Sequence, residues 1–158
     1  MTQRSASIEV TIATEATEEL VSAFGRLIPQ LSSSAVALDR NALAEVIAAP
    51  CNTVLVARDR EHGGKVVGTL TLVIFRIPTA MRAWIEDVVV DSSARGHGVG
   101  EALTQQALRL ACERGAQTVD LTSRRSREAA RKLYEKLGFN LRDSSLYRYV
   151  SSDSKKAG

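Results

Sequence analysis

Apolar and polar positions alternate with a period of two in several stretches of the first ninety residues, with two helical stretches between them. Ser7 to Ala13 (SIEVTIA) alternates as a first strand. Thr14 to Glu18 (TEATE) supplies capping residues and acids for a helix carrying Leu20, Phe24 and Leu27 on one face. Pro29 and the run Ser32-Ser33-Ser34 are expected to break that helix. A second helical pattern spans Leu38 to Ala48 and stops at Pro50. Asn52 to Arg58 reads as a strand and Asp59 to Gly64 as a polar turn. Lys65 to Ile77 and Met81 to Asp91 are long β-branched runs, predicted to pair as a hairpin turning at Pro78-Thr79.

After Asp91 the period changes to 3.6. Leu103, Ala107, Leu110 and Ala111 mark one face of a helix from Val99 to Arg114, closed by Gly115. Thr118 to Thr122 is a short strand. Ala130, Leu133, Tyr134 and Leu137 fall at i, i+3, i+4 and i+7 of a further helix ended by Gly138. Phe139 to Val150 is expected to form one or two last strands, with Tyr149 in the core. Ser151 to Gly158 is expected to be a disordered tail. The pattern contains no repeat and no linker, so residues 1–150 are expected to form a single α/β domain.

Composition narrows the class. At 158 residues, with 44% hydrophobic and 25% charged positions, the chain can bury its own core. That excludes a disordered chain, a collagen-like fibre and a disulfide scaffold. No apolar run approaches the ~18 residues a membrane span needs, and Met1 to Glu9 lacks a signal-peptide pattern. No membrane role is expected. Cys51 and Cys112 have no metal-site spacing and are expected to be reduced and partly buried, in a cytoplasmic protein. No metal site is indicated. The net charge of +3 is mild. Its distribution is not: between Arg124 and Arg148 stand eight basic and three acidic residues, enough to hold an anion or to form a solvated helix face.

The strongest chemical signal is Arg95-Gly96-His97-Gly98-Val99-Gly100, between an apolar strand (Ile85 to Val90) and an amphipathic helix. Such a turn points consecutive backbone N–H groups at one spot, next to the positive end of the helix, and so suits phosphate. A Walker loop would need Gly-Lys-Ser/Thr, which is missing. A dinucleotide fingerprint would need a third glycine where Glu101 stands. What remains is Arg-x-x-Gly-x-Gly.

With this loop the sequence resembles the GNAT superfamily of acyl-coenzyme A-dependent N-acetyltransferases. The (Q/R)xxGx(G/A) element is matched by Arg95, Gly98 and Gly100. The strand Trp84 to Asp91 (WIEDVVVD) looks like the family's fourth strand, and Ala130-x-x-Leu133-Tyr134-x-x-x-Gly138-Phe139 matches its AxxLYxxxGF segment. The resemblance covers residues 84–140. It implies a mixed, mostly antiparallel sheet, splayed between the fourth and fifth strands, with helices on both faces. It further implies acetyl-CoA as co-substrate. The pyrophosphate would lie on the backbone amides of Gly96, His97, Gly98, Val99, Gly100 and Glu101, with Arg95 in the same site. The pantetheine arm would pair with the backbone of Val88, Val89 and Val90 where a bulge opens the sheet.

For the chemistry, the resemblance makes Tyr134 the candidate general acid near the thioester sulfur. Its ring also belongs to the apolar face of its helix. Glu86 is the candidate base: it is expected on the same strand face as Trp84 and Val88, with burial raising its pKa. Asp87 or a water relay is the rival, and an ion pair of Glu86 with Arg82 or Arg76 is the structural alternative. The family often has Asn seven positions before its tyrosine. Here Arg127 stands there: it would either put a charge on the coenzyme phosphates or lie in solvent at the helix N-terminus, and because a cation is unfavourable at that end the ligand role is preferred. Thr122 replaces an acid found in some members. His97 and His62 are expected to be surface residues.

The implied activity is acetyl transfer to a primary amine by direct attack in a ternary complex, with a small-molecule acceptor expected and a histone or ribosomal protein as the alternative. Arg76, Arg82 and Arg148 would suit an acceptor with a carboxylate or phosphate. A homodimer is common in the family. Two other classes stay open: a silent acyl-CoA-binding module, and a nucleic-acid-binding domain using Arg124 to Arg148. Loss of the tyrosine would favour the first, and stacking aromatics among the basic residues the second.

Overall fold

The alternating segments form strands β1 (Ile8–Ile12), β2 (Asn52–Asp59), β3 (Lys65–Ile77) and β4 (Ala80–Val90), and a short β5 (Thr118–Asp120) comes after them. In the computed structural model, which describes residues 7–151, they make one sheet in the order β1-β2-β3-β4-β5. Every neighbouring pair is antiparallel except β4–β5, which is parallel, so the sheet is mixed and mostly antiparallel as expected. The stretch expected to be a tail lies, Ser151 apart, outside the described residues. The described residues fall into two compact units, one up to Thr122 and one from Ser123.

The first unit holds the sheet and helices α1 (Glu18–Leu31), α2 (Arg40–Ala48) and α3 (Val99–Glu113). Thr17 and Asp39 cap α1 and α2, accepting from the amides of Leu20 (3.2 Å) and Ala42 (2.8 Å). Each such cap contributes about 1 kcal/mol. Pro29 does not break α1, contrary to expectation: the helix continues through it to Leu31, and Ser32 ends it by donating its N–H to the Ile28 carbonyl. A proline forfeits the bond to the fourth residue back, which here is the exposed Gly25. The buried Leu27 and the partly buried Ile28 and Leu31 hold the helix on the sheet across that gap.

The two faces of the sheet are covered by different helices. Leu20, Ala23, Phe24 and Leu27 of α1 and Leu43 of α2 bury against Val54, Val56, Val66 and Val89. Ala57 and Gly68, one residue out of phase with Val56, are paired and face the other way. There α3 packs, with Val99 and Leu103 over Gly68. Leu27, Leu43, Leu55, Leu70, Leu72 and Leu103 are fully buried, each contributing ~1.5–3 kcal/mol relative to exposure.

The second unit is built on α4 (Glu128–Lys136), which ends at Leu137 and Gly138 as the periodicity predicts. Beyond it, the strands expected over Phe139 to Val150 are not formed. Leu141, Tyr147 and Tyr149 are almost fully exposed, so Tyr149 is no core residue. Alternation alone misled here: a strand needs a hydrogen-bonding neighbour, and periodicity does not supply one. Cys51 and Cys112 are free, as expected, but exposed rather than partly buried.

Candidate active site

The centre of β4 breaks its own ladder. Glu86 pairs with Thr71 and Val89 with Thr69, so Asp87 and Val88 together oppose Leu70, a two-against-one bulge. Asp87 takes φ +49°, alone among the described non-glycine residues in having a positive φ. On the other side, β5 meets β4 only at Arg82, Ala83 and Trp84, and pairing stops there. Pairing between the fourth and fifth strands ends at Trp84 because all three residues of β5 are already used. Along Val88 to Val90 the backbone edge turned toward β5 has no strand partner among the described residues.

The bulge also corrects an expectation about Glu86. Trp84, Glu86 and Val89 pair with Val73, Thr71 and Thr69, alternate residues of β3, so they share one face. Glu86 is thus grouped with Trp84 and Val89, not with Val88, because an extra residue inverts the alternation. Nor is it buried: Glu86 is exposed and makes no ion pair among the described residues. Arg82, offered as its partner, instead bonds Asp120 (3.2 Å), linking β4 to β5. Arg76 is exposed.

From Val90 the chain enters a single turn of 3-10 helix at Ser92–Ala94 and then the glycine loop. Gly96 and Gly98 lie at φ +77° and +80°, which side chains rarely tolerate, while a Cβ there would meet nothing within 4 Å. The requirement for glycine is conformational, and the space above the loop is open. Gly98 is the N-cap of α3 and offers no side chain to it; the first intrahelical bond runs from Ala102 N–H to the Gly98 carbonyl at 3.0 Å. The amides at the start of this 15-residue helix project from its positive end, equivalent to roughly half a charge. Arg95 and His97 are exposed on the loop, Val99 is buried beneath it and Gly100 is half-buried.

The turn leading into the loop is tied down by residues that sequence reasoning missed. Asp91 is 5% exposed; its carboxylate accepts from Ser93 N–H (3.1 Å) and Ser93 Oγ (3.0 Å) and bonds Arg26 Nε at 3.2 Å. Burial alone would raise the Asp91 pKa, but the two Ser93 bonds, Arg26 and the nearby Lys65 together hold it below the ordinary value. An arginine flanked by Phe24 and Leu27 in an amphipathic helix was the available signal.

The second unit carries Tyr134 and Arg127. Tyr134 is half-buried on α4, its ring edge-on to Phe139 with centroids 5.6 Å apart. Burial raises the pKa of its hydroxyl, and the positive charge of Arg127 opposes that rise. Arg127 is exposed at the N-cap position of α4 and makes no side-chain capping bond.

The donor site implied by the sequence can be tested against this geometry. An open loop of left-handed glycines at a helix start and a free strand edge running into it are what a pyrophosphate and an amide-bearing arm require. The family model for the GNAT acetyltransferase family matches residues 15–139. The chain belongs to that family.

Other GNAT-like proteins fit this placement. The chain is 39% identical over 71 residues to N-alpha-acetyltransferase 30 of Schizosaccharomyces pombe, covering 45% of this chain and 47% of the relative. It is 36% identical over 86 residues to glucosamine 6-phosphate N-acetyltransferase of Trypanosoma brucei brucei, covering 52% and 56%. It thus spans about half the length of the curated relatives it matches. Among solved structures, an acetyltransferase of Trypanosoma brucei superposes with a TM-score of 0.73 at 27% identity, over 90% of this chain and 99% of that one. Among the described residues no helix is long and apolar enough to cross a membrane, and no group of three or more His, Cys, Asp or Glu could hold a metal.

Proposed function

We propose that this GNAT-family chain is an N-acetyltransferase that moves the acetyl group of acetyl-CoA to a primary amine by direct attack in a ternary complex, with residues 1–150 as its catalytic domain. The observation that carries this is the free edge of β4 at Val88 to Val90 leading into the left-handed glycines of the loop. In this proposal the amides of Gly96 to Glu101 hold the pyrophosphate. Arg95 lies beside them, and Arg127 contributes charge to the coenzyme phosphates. When bound, acetyl-CoA supplies an acyl thioester.

The neutral amine nitrogen bonds to the thioester carbonyl carbon and the C–S bond breaks. Tyr134 gives its hydroxyl proton to the departing sulfur. A tyrosine hydroxyl is protonated at neutral pH, and burial raises its pKa further, so it holds a proton to donate. The amine proton leaves to Glu86 or through water; the exposure of Glu86 favours a solvent-linked route.

The acceptor proposed is a small-molecule amine, and the likeness to a glucosamine 6-phosphate N-acetyltransferase supports it. Two free, exposed thiols suit the reducing cytoplasm. A homodimer belongs to the same proposal, and the sedimentation coefficient would report it.

Calorimetric titration with acetyl-CoA, coenzyme A and dephospho-coenzyme A tests the donor site. Acetyl-CoA is expected to bind, more weakly without the 3′-phosphate and not at all to Gly98→Asp. No binding to the wild type would overturn the proposal. Thiol release over an amine panel containing glucosamine 6-phosphate and peptides with free α-amino groups then decides the acceptor class.

A further inference from the structure

We propose that Arg26 and Gln30 of α1 are positioning residues for the donor loop, holding it in register with the sheet without touching the donor; this rests on the acetyl-CoA binding proposed above. The turn between β4 and the glycines is closed by bonds of its own. Asp91 N–H donates to the Val67 carbonyl (2.8 Å), Ala94 N–H to the Asp91 carbonyl (2.8 Å), and the Asp91 carboxylate takes the Ser93 amide and hydroxyl. These fix the shape of the turn and its root on β3. Its hold on the helical layer comes from α1.

Two side chains one helical turn apart make that hold. The Arg26 guanidinium bridges Asp91 Oδ2 through Nε (3.2 Å) and the Val66 carbonyl through Nη2 (2.5 Å). Gln30 Oε1 accepts from the amide of Ser92 at 2.8 Å, while its Nε2 donates to the Arg26 carbonyl at 3.2 Å. The amide of Gln30 is thereby oriented, with its oxygen toward the turn. Consecutive residues of the turn, Asp91 and Ser92, are thus gripped from one helix. Leu27, between the two gripping residues, is fully buried and anchors that helix on the sheet.

The grip matters because the glycine loop lies immediately beyond it. Gly96 and Gly98 begin four residues past Ser92, and a backbone of glycines is intrinsically pliable. Its far end is pinned by Val99, buried over Gly68; its near end is held by Arg26 and Gln30. Amides that must converge on one anion lose affinity steeply when displaced, so loosening one end is read out as donor affinity.

The test is titration of the 158-residue chain with acetyl-CoA, alongside steady-state kinetics with an accepted amine. Gln30→Leu removes the acceptor for the Ser92 N–H, a bond on the exposed side of the turn; Gln30→Glu keeps an acceptor there. Gln30→Leu is expected to weaken acetyl-CoA binding about three- to tenfold, the effect of one hydrogen bond. Its kcat at saturating acetyl-CoA is expected to stay within about twofold of wild type, since the loop acts on binding. Gln30→Glu is expected to restore affinity. Arg26→Met is expected to weaken binding further, and if it does not fold, the glutamine pair decides alone. Wild-type affinity in Gln30→Leu, or a weakening that Gln30→Glu does not repair, would overturn the proposal while leaving acetyl-CoA binding by the wild type intact. Failure of the wild type itself to bind would remove the donor site, and this role with it.

Discussion

A Cβ placed on Gly68 of β3 would stand 2.8 Å from Cγ1 of Val99, the first residue of α3. Leu103 Cδ1 and the Val89 carbonyl would each lie at 3.1 Å. The helix that follows the glycine loop is therefore seated on bare backbone. Valine on a helix is stiff at χ1 and cannot swing clear. Gly68→Ala is expected to destabilise the fold by about 1–3 kcal/mol through overpacking. Urea denaturation of Gly68→Ala, Val99→Ala and the double variant checks this; the double variant should recover part of the loss, and strict additivity would mean the two residues do not clash.

Tyr134→Phe is expected to lower kcat by roughly 10²-fold or more, the scale of a positioned acid, with acetyl-CoA affinity within about twofold of wild type. Because burial raises the pKa of Tyr134, the alkaline limb of the wild-type kcat profile should lie beyond the titration of an ordinary tyrosine. That limb should vanish in the phenylalanine variant. Unchanged turnover would remove Tyr134 from the chemistry.

Glu86 is exposed and without an ion pair among the described residues, so Glu86→Gln should change stability by less than about 0.5 kcal/mol. Any loss of rate then reports catalysis and not folding. If Glu86 is the base, the acidic limb of kcat/KM disappears in Glu86→Gln. If the limb persists at an unchanged position, water carries the amine proton.

The depressed pKa of the buried Asp91 makes part of the stability depend on pH. The carboxylate stabilises the fold at every pH above its unfolded value of ~3.9, and that contribution is lost as pH falls through the lower folded value. Asp91→Asn should therefore lower the urea midpoint at pH 7 and shrink the drop in midpoint between pH 7 and pH 3. Parallel midpoints for variant and wild type across that range would show that Asp91 does not titrate differently on folding.

Local patterns made much of this molecule legible. The hairpin at Pro78-Thr79, the start of α3 at Val99 and the end of α4 at Gly138 are set by turn residues and apolar spacing. The loop was legible because left-handed backbone demands glycine, and Gly96 and Gly98 take that conformation. The bulge position near Val88 came from family likeness, since nothing in Asp87-Val88-Val89 marks an extra residue. Gly68 inside a β-branched run went unread, although an isolated glycine in a strand marks a close approach of another chain segment.

The sequence by itself determined which segments are strands and helices over residues 8–136, and where a glycine-rich turn of left-handed backbone stands between them. Those features depend on propensity and periodicity within a few neighbours. Only the tertiary structure decided that Glu86 is exposed, that α1 runs through Pro29, that Phe139 to Val150 forms no strand, and that Arg26 and Gln30 grip the turn at Asp91 and Ser92. Each of these depends on what lies across the sheet or between layers. Arg26 and Asp91 are 65 residues apart in the chain, a separation over which no local pattern carries information.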